Sequence, residues 1–247
     1  MCVYIPPVLL YDCPMKELHE LWPGGLLYAG DPIGTDSLAL ADFAARFPAR
    51  TGCDLGCGSG ILLLLLARER KNLVMDGVEL RPNAVETCRR NIAANGLGER
   101  CRVLQGDLRS CGLPRGSMDL VVSNPPYFPA GAGGTSPDKD RAAMRTESAA
   151  LTELCRAAAE LLRQGGAFCL VHRTARMGEV FAALADSGLE IKRLRLMAAD
   201  PGSAPSLFLC EARRGAKPGV TMEPVLFQRG PDGRETEEYR RICHWEG

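Results

Sequence analysis

From Thr51 onward the chain alternates short apolar runs with stretches of helical period, and this rhythm confines it to few folds. Runs suited to strands fall at Thr51–Leu55, Leu73–Glu79, Cys101–Gln105, Asp119–Ser123, Ala167–His172, Ile191–Met197 and Ser206–Ala212. Between them Ile61–Arg70, Pro82–Asn95, Ser148–Arg163 and Ala175–Ser187 read as helices, with Pro82 at a permitted first-turn position and Gly96 or Gly165 as stops. Parallel strands need crossovers, usually helical, so the pattern predicts an α/β fold: a seven-stranded, mostly parallel sheet with helices on both faces. Its 247 residues suit one domain over 1–247, divided into an N-terminal segment 1–49, a core 50–212 and a tail 213–247. Within the short N-terminal extension, Gly24-Gly25 and Gly30-Asp31-Pro32 read as turns before a helix from about Ser37. Pro129–Asp140 reads as a Gly-, Pro- and Ala-rich loop of the kind that serves as a lid.

The glycine-rich segment Asp54-Leu55-Gly56-Cys57-Gly58-Ser59-Gly60 joins a predicted strand to a predicted helix, so the backbone turns tightly and approaches a ligand at a helix N-terminus. Dinucleotide enzymes place a loop here too, but their third glycine falls where this chain has Ile61, which favours a different nucleoside cofactor. Glu79 ends the next strand, where a carboxylate can accept both ribose hydroxyl hydrogens. Asp107, with Leu108, follows the strand after that. Strand-end acids are often caps or solvated turns; their order at successive strand ends points instead to a ligand beyond the carboxyl edge of a sheet.

The tetrad Asn124-Pro125-Pro126-Tyr127 follows the fourth strand. An exocyclic amino group or carboxamide is a poor nucleophile because its lone pair is delocalised. Two acceptors on its N–H bonds, the Asn124 side-chain oxygen and the Pro125 carbonyl, localise that pair and aim it for in-line attack. Orientation of this kind contributes on the order of 7–11 kcal/mol. Consecutive prolines stiffen the backbone that carries the acceptors. Tyr127 and Phe128 offer ring faces on which a planar base stacks, worth about 1–3 kcal/mol. No general base is required, since the proton can leave to water after transfer. A Pro-Pro turn with a core tyrosine is the structural alternative.

Taken together, these motifs resemble those of the class I, Rossmann-like S-adenosylmethionine-dependent methyltransferases over roughly residues 50–212. The resemblance implies that Asp54, Gly56, Cys57, Gly58 and Gly60 flank the methionine part of S-adenosyl-L-methionine, and that Glu79 and Leu80 meet the ribose side. It further implies that Asp107 and Leu108 meet the adenine and that Asn124 borders both cofactor and acceptor. S-adenosyl-L-homocysteine is then the product, and no metal is called for.

The same tetrad occurs in adenine N6 methyltransferases of DNA and RNA and in enzymes that methylate glutamine amides of proteins. The latter carry a sizeable helical domain before the cofactor loop, whereas here only about fifty residues precede it. Gly34-Thr35-Asp36-Ser37 resembles the N-terminal segment of the bacterial tRNA1(Val) adenine-37 N6-methyltransferase family, in which Thr35 would help close the cofactor pocket. The resemblance runs on through Ser136-Pro137, Ala143–Glu147, Leu170–Arg173, Arg229–Gly233 and Thr236–Tyr239. It implies methylation of adenine N6 in tRNA. N5-glutamine methylation of a protein, and methylation of an rRNA or DNA adenine or guanine amino group, stand as alternatives. A cofactor- or RNA-binding module without activity is a third class, opposed by the intact tetrad. Tyr127, Phe128, Arg145, His172 and Arg173 are the substrate candidates. The last three offer charge-assisted donors to phosphate, or else form an Arg145–Glu147 pair and a strand-closing His172.

Composition bounds these readings. Hydrophobic residues at 46% and charged residues at 24% belong to a globular chain. Thirty basic and thirty acidic residues cancel, so no overall field draws it to nucleic acid, and an RNA must be held by local patches. Lys192, Arg193 and Arg195, with Arg213, Arg214 and Lys217, are candidates, solvated strand ends being the other reading. Eleven cysteines include no C-x-x-C pair and no zinc spacing. The proline-rich start does not read as a secretory signal, which predicts reduced thiols and a cytoplasmic protein. The longest apolar run, Ile61–Ala67, is too short for a bilayer and suits a buried helix. Both a monomer and a homodimer are compatible with the sequence.

Overall fold

The computed structural model describes residues 17–21, 25–125 and 150–244. A short antiparallel pair, β1 (His19–Glu20) and β2 (Leu27–Tyr28), leads into α1 (Thr35–Ala45). Then follow β3 (Thr51–Leu55), α2 (Ile61–Glu69), β4 (Val74–Glu79), α3 (Pro82–Ala94), β5 (Cys101–Gln105) and β6 (Met118–Ser123). After the residues that are not described come α4 (150–161), β7 (Leu162–Arg173), α5 (Met177–Asp186), β8 (Leu189–Ala198) and β9 (Leu207–Arg214). The tail adds β10 (Thr221–Met222), β11 (Leu226–Phe227) and α6 (Glu237–His244).

The large sheet runs β10-β8-β9-β7-β6-β3-β4-β5, with β11 also on β8. β3, β4, β5, β6 and β7 pair in parallel, and β9 is antiparallel to both neighbours. All seven expected strands are present, and the Rossmann-like arrangement is the observed one. The chain steps outward from β3 to β4 and β5, then returns to lay β6 on the other side of β3. This reversal opens a crevice at the carboxyl ends of β3 and β6, where open α/β sheets hold their ligands.

Both faces of the sheet are covered, as parallel strands require. Leu120 and Val122 face one apolar cluster with α1, α2 and α3 residues such as Phe43, Leu63 and Ile92. Val121, between them, faces the other, with Leu154 and Leu161 of α4 and Val180 and Leu184 of α5. Ala167, Cys169 and Val171 alternate with Phe168 and Leu170 in the same way, the two-residue period of a strand. In α2 every residue from Leu62 to Ala67 is buried, the mark of a helix sandwiched between layers. No helix among the described residues is long and apolar enough to cross a membrane.

Three sequence expectations change. Gly165 does not stop a helix: it lies inside β7 at φ +78°, where the pairing with β6 slips register. The tail contributes strands and a helix, too short for periodicity to reveal them. The two basic clusters, Lys217 aside, are fasteners within the fold. Arg193 donates to Glu211, Glu223 and the Phe43 carbonyl and stacks on the Phe43 ring. Arg195 is buried against Glu238 and the Pro224 carbonyl, Arg213 pairs with Glu211, and Arg214 and Lys192 donate to backbone carbonyls.

The N-terminal segment is tied down by Asn91 of α3, whose side chain is fully buried. Its Oδ1 accepts from the Ala29 N–H at 2.8 Å, and its Nδ2 donates to the Ala29 carbonyl at 2.7 Å and the Ser59 carbonyl at 2.8 Å. One turn on, Asn95 pairs with the N–H and carbonyl of Leu27. Asn91→Ala strands two carbonyls and one N–H and is expected to lower unfolding free energy by about 3 kcal/mol. Urea denaturation with an unchanged midpoint would show that water substitutes for the amide.

Candidate cofactor and acceptor site

At the centre of the sheet, β3 delivers Asp54 to its carboxyl end almost wholly buried. Gly56, Gly58 and Gly60 then take φ of +76°, +55° and +86°, backbone that side-chain-bearing residues rarely adopt. The three differ in surroundings. A Cβ on Gly56 would meet open space, one on Gly58 would approach only the Arg81 guanidinium, and one on Gly60 would lie 2.5 Å from Cys88 Sγ. Gly60 is thus a packing glycine, while Gly56 leaves an exposed cradle of backbone. The N–H groups of Gly56 and Cys57 both donate to the Val78 carbonyl, at 2.9 and 3.0 Å, which clamps the loop to β4. The Cys57 side chain points away into the core beside Cys88 and is buried, so this residue offers the crevice only its backbone.

Two neighbouring carboxylates have opposite electrostatics. Asp54 Oδ1 is buried without a hydrogen-bond partner, and burial, with Glu79 nearby, pushes the carboxyl up to about 8. Glu79, at the end of β4, would also rise through burial, but donors from Arg81 and Gly58 outweigh this and hold it below its ordinary value. Its Oε2 accepts from the Gly58 N–H at 2.9 Å, and its Oε1 from the Arg81 N–H and Nε at 2.8 and 3.0 Å. Leu80 follows with 64% of its surface exposed, a bare apolar face at the sheet edge.

One strand further out, Asp107 caps a single 3-10 turn at Leu108–Ser110. Arg109 meets both its oxygens and holds the carboxyl down to about 2. Leu108 rests against the core cluster beneath. Across the crevice, Asn124 leaves β6 at the end next to Leu55, and Ser123 Oγ donates to the Leu55 carbonyl at 2.7 Å, locking the two strand ends together. Asn124 Nδ2 donates to Ser37 Oγ, in the first turn of α1, at 2.9 Å. Thr35 opens α1 and hydrogen-bonds to Tyr239 of α6, which joins the tail to this edge.

The structure therefore brings Thr35, Asp54, Gly56, Cys57, Gly58, Gly60, Glu79, Leu80, Asp107, Leu108, Asn124 and Pro125 to one edge of the sheet. Pro126, Tyr127, Phe128, Arg145 and the loop 129–140 lie outside the described residues. His172 and Arg173 end β7; His172 is buried beside Phe208, with Nδ1 accepting from the Arg173 N–H. Asn91 escaped sequence reasoning because its partners, Ala29 and Ser59, are distant in sequence; the contacts of Ser37 with Asn124 and of Tyr239 with Thr35 escaped it for the same reason.

These residues fit S-adenosylmethionine. The unpartnered buried Asp54 oxygen suits an ammonium, the Gly56 cradle leaves room for close approach, Glu79 is a preformed anion and Leu80 an apolar platform.

The model of the methyltransferase small domain family matches residues 28–186. The tRNA1(Val) (adenine(37)-N6)-methyltransferase of Tolumonas auensis is 37% identical over 210 residues, covering 84% of this chain and 86% of that protein. Its counterpart in Aeromonas salmonicida is 36% identical over 214 residues, covering 86% and 88%. The chain belongs to the methyltransferase small domain family. As a member it is an S-adenosylmethionine-dependent methyltransferase, similar along most of its length to the tRNA1(Val) (adenine(37)-N6)-methyltransferases. Among solved structures, a predicted O-methyltransferase from Agrobacterium tumefaciens superposes with TM-score 0.67 at 23% identity, covering 84% of this chain and 95% of that one. A geranyl diphosphate C-methyltransferase from Streptomyces coelicolor A3(2) follows at TM-score 0.52 and 14% identity, covering 71% and 78%. One is named for transfer to oxygen and the other for transfer to carbon, so the shared fold does not specify the acceptor atom.

Asp54 gives this methyltransferase a pH signature. Its carboxyl keeps a proton in the folded, cofactor-free state up to about 8, whereas the unfolded chain releases it near 4. That contribution to stability therefore declines as pH rises through this window. A cofactor ammonium needs the carboxylate, so affinity for S-adenosylmethionine is expected to rise from pH 6 to about 8 with release of a proton. Calorimetry in buffers of different ionisation enthalpy reads this directly. Proton uptake, or the same pH dependence in Asp54→Asn, would contradict the assignment.

Proposed function

We propose that this methyltransferase acts on the N6 amino group of an adenine in tRNA, with adenine 37 of tRNA1(Val), named for its relatives, as the position. The observation that carries this reading is Asn124 at the carboxyl end of β6, anchored beside the strand end that presents Asp54 and the glycine loop. Bound S-adenosylmethionine supplies an electrophilic methyl group on its sulfonium. The chain supplies position. Asp54 and the loop backbone hold the methionine end, Glu79 accepts from the ribose hydroxyls, and Leu80 and Leu108 border the adenine.

At the acceptor, Asn124 Oδ1 and the Pro125 carbonyl each accept one N–H of the substrate amino group. The nitrogen lone pair is then turned out of conjugation and toward the methyl, and the surplus proton leaves to water after transfer. Tyr127 and Phe128 stack on the base, and Arg145 and Arg173 serve the phosphates, while the buried His172 closes the strand end. In this reading residues 50–212 carry the transfer, 1–49 close the pocket, and 213–247 brace it. An adenine in an anticodon loop is already partly unstacked, so its extraction costs less than the few kcal/mol of a duplex. The protein works in the cytoplasm, where its substrate is.

Incubation with tRNA and cofactor, followed by nucleoside mass spectrometry, is expected to yield N6-methyladenosine. A methylated glutamine in a peptide, with tRNA unchanged, would replace this reading with the protein substrate. Asn124→Ala is expected to reduce kcat by about a hundredfold or more with cofactor Kd changed less than about threefold. A large loss of cofactor binding would contradict its assignment to the acceptor. Glu79→Ala, by contrast, is expected to weaken cofactor binding about tenfold, read by calorimetry, and unchanged affinity would remove it from the ribose side.

A further inference from the structure

We infer that Ser37 is a positioning residue for methyl transfer: its hydroxyl sets the orientation in which Asn124 offers its side-chain oxygen to the acceptor amino group. The inference rests on the proposed role of Asn124. A carboxamide presents oxygen or NH2 according to a half-turn about its last torsion, and the two ends are nearly equal in size, so packing chooses poorly between them. Only the oxygen can accept an N–H from the substrate. The NH2 end would set donor against donor.

Ser37 Oγ accepts from Asn124 Nδ2 at 2.9 Å, across 87 residues of sequence, which turns Oδ1 to the opposite side of the amide. The anchor is itself held. Ser37 is 8% exposed, its N–H donates to Asp36 Oδ1 at 2.7 Å and to the Gly34 carbonyl at 3.2 Å, and it sits in the first turn of α1. That turn is braced from the tail by Thr35 and Tyr239 and, further along α1, by Arg241 on Asp42 at 2.7 Å. With the hydroxyl accepting from Nδ2, the braced helix start holds the NH2 end of the amide at a fixed point, and acceptor placement to within about half an ångström is what transfer geometry demands.

Ser37→Ala removes the hydroxyl alone, and Ser37→Thr keeps it. In the alanine variant kcat on tRNA is expected to fall about ten- to a hundredfold, with cofactor Kd and melting temperature close to wild type. The threonine variant is expected to recover most of the loss. On an Asn124→Ala background the Ser37→Ala change is expected to add nothing, because the group it positions is gone. Unchanged kcat in Ser37→Ala, a loss that follows cofactor affinity or stability, or additivity with Asn124→Ala would each overturn the inference.

A second measurement separates it from the substrate reading. In amide NMR spectra of the cofactor-free enzyme, the Asn124 Nδ2 protons, identified by their loss in Asn124→Asp, are expected to shift and exchange faster in Ser37→Ala and to return in Ser37→Thr. If wild type fails to methylate tRNA while these signals respond, the substrate reading falls and the positioning role stands. Signals indifferent to Ser37 would overturn the inference whatever the substrate.

Discussion

A carboxamide inside an apolar core is tolerated only when its donors and acceptor are met, and Asn91 meets them with the backbone of two segments remote in sequence. By gripping both sides of Ala29 and the carbonyl of Ser59, it lays the N-terminal segment against the glycine loop. The position of α1 follows from that contact, and with it the place of Thr35 and Ser37 across the crevice from Asp54. The opposite wall is set by Ser123, whose hydroxyl bridges the ends of β6 and β3. One buried amide and one buried hydroxyl thus hold the two walls, the amide meeting three backbone groups and the hydroxyl one carbonyl.

Charge is used locally. The zero net charge conceals arginines committed to internal pairs, among them Arg193 and Arg213 on the almost fully buried Glu211. These pairs strap β8, β9 and the tail to α1, so removing one member would leave a buried charge unmet. In the crevice the same logic divides two carboxyls. Glu79 has three donors that hold it below its ordinary value, whereas Asp54 has an oxygen with none and burial pushes its carboxyl up to about 8. Neighbouring acids whose proton affinities are driven apart commonly mark a division of roles.

The sheet was legible in the sequence because short runs rich in apolar residues recur between stretches of helical period, Pro82 marking the start of one of them. Thr51–Leu55 and Cys101–Gln105 match residue for residue. The cofactor edge was legible for the same reason: Asp54, Glu79 and Asp107 stand at strand ends, which the rhythm locates. What escaped it was every contact made across the chain. The commitment of Arg193 and Arg195 depends on Glu211, Glu223 and Glu238, and nothing in their own neighbourhoods distinguishes a fastener from a phosphate ligand. Two-residue strands such as β10 and β11 have no period to detect. Gly165 shows the ambiguity of a lone glycine, since a positive φ serves a register slip in a strand as well as the end of a helix.

The chemistry that such a crevice supports follows from what rigid acceptors do well. Transfer of a methyl cation equivalent to a planar nitrogen is limited by a delocalised lone pair, which a base does not cure, because removing an N–H proton from a neutral amino group is far harder than attacking through it. Acceptors fixed by backbone and by a braced hydroxyl change the geometry of the nitrogen without titrating. The described thiols Cys57, Cys169 and Cys210 are buried and pushed well above their ordinary range, so they remain neutral packing groups near physiological pH. Asp54 is a described group at this edge whose proton moves in that range, and in the proposed reading it serves the cofactor end of the crevice. On that reading the proton linkage of Asp54 accompanies cofactor capture, and the proposed transfer depends on where Asn124 points.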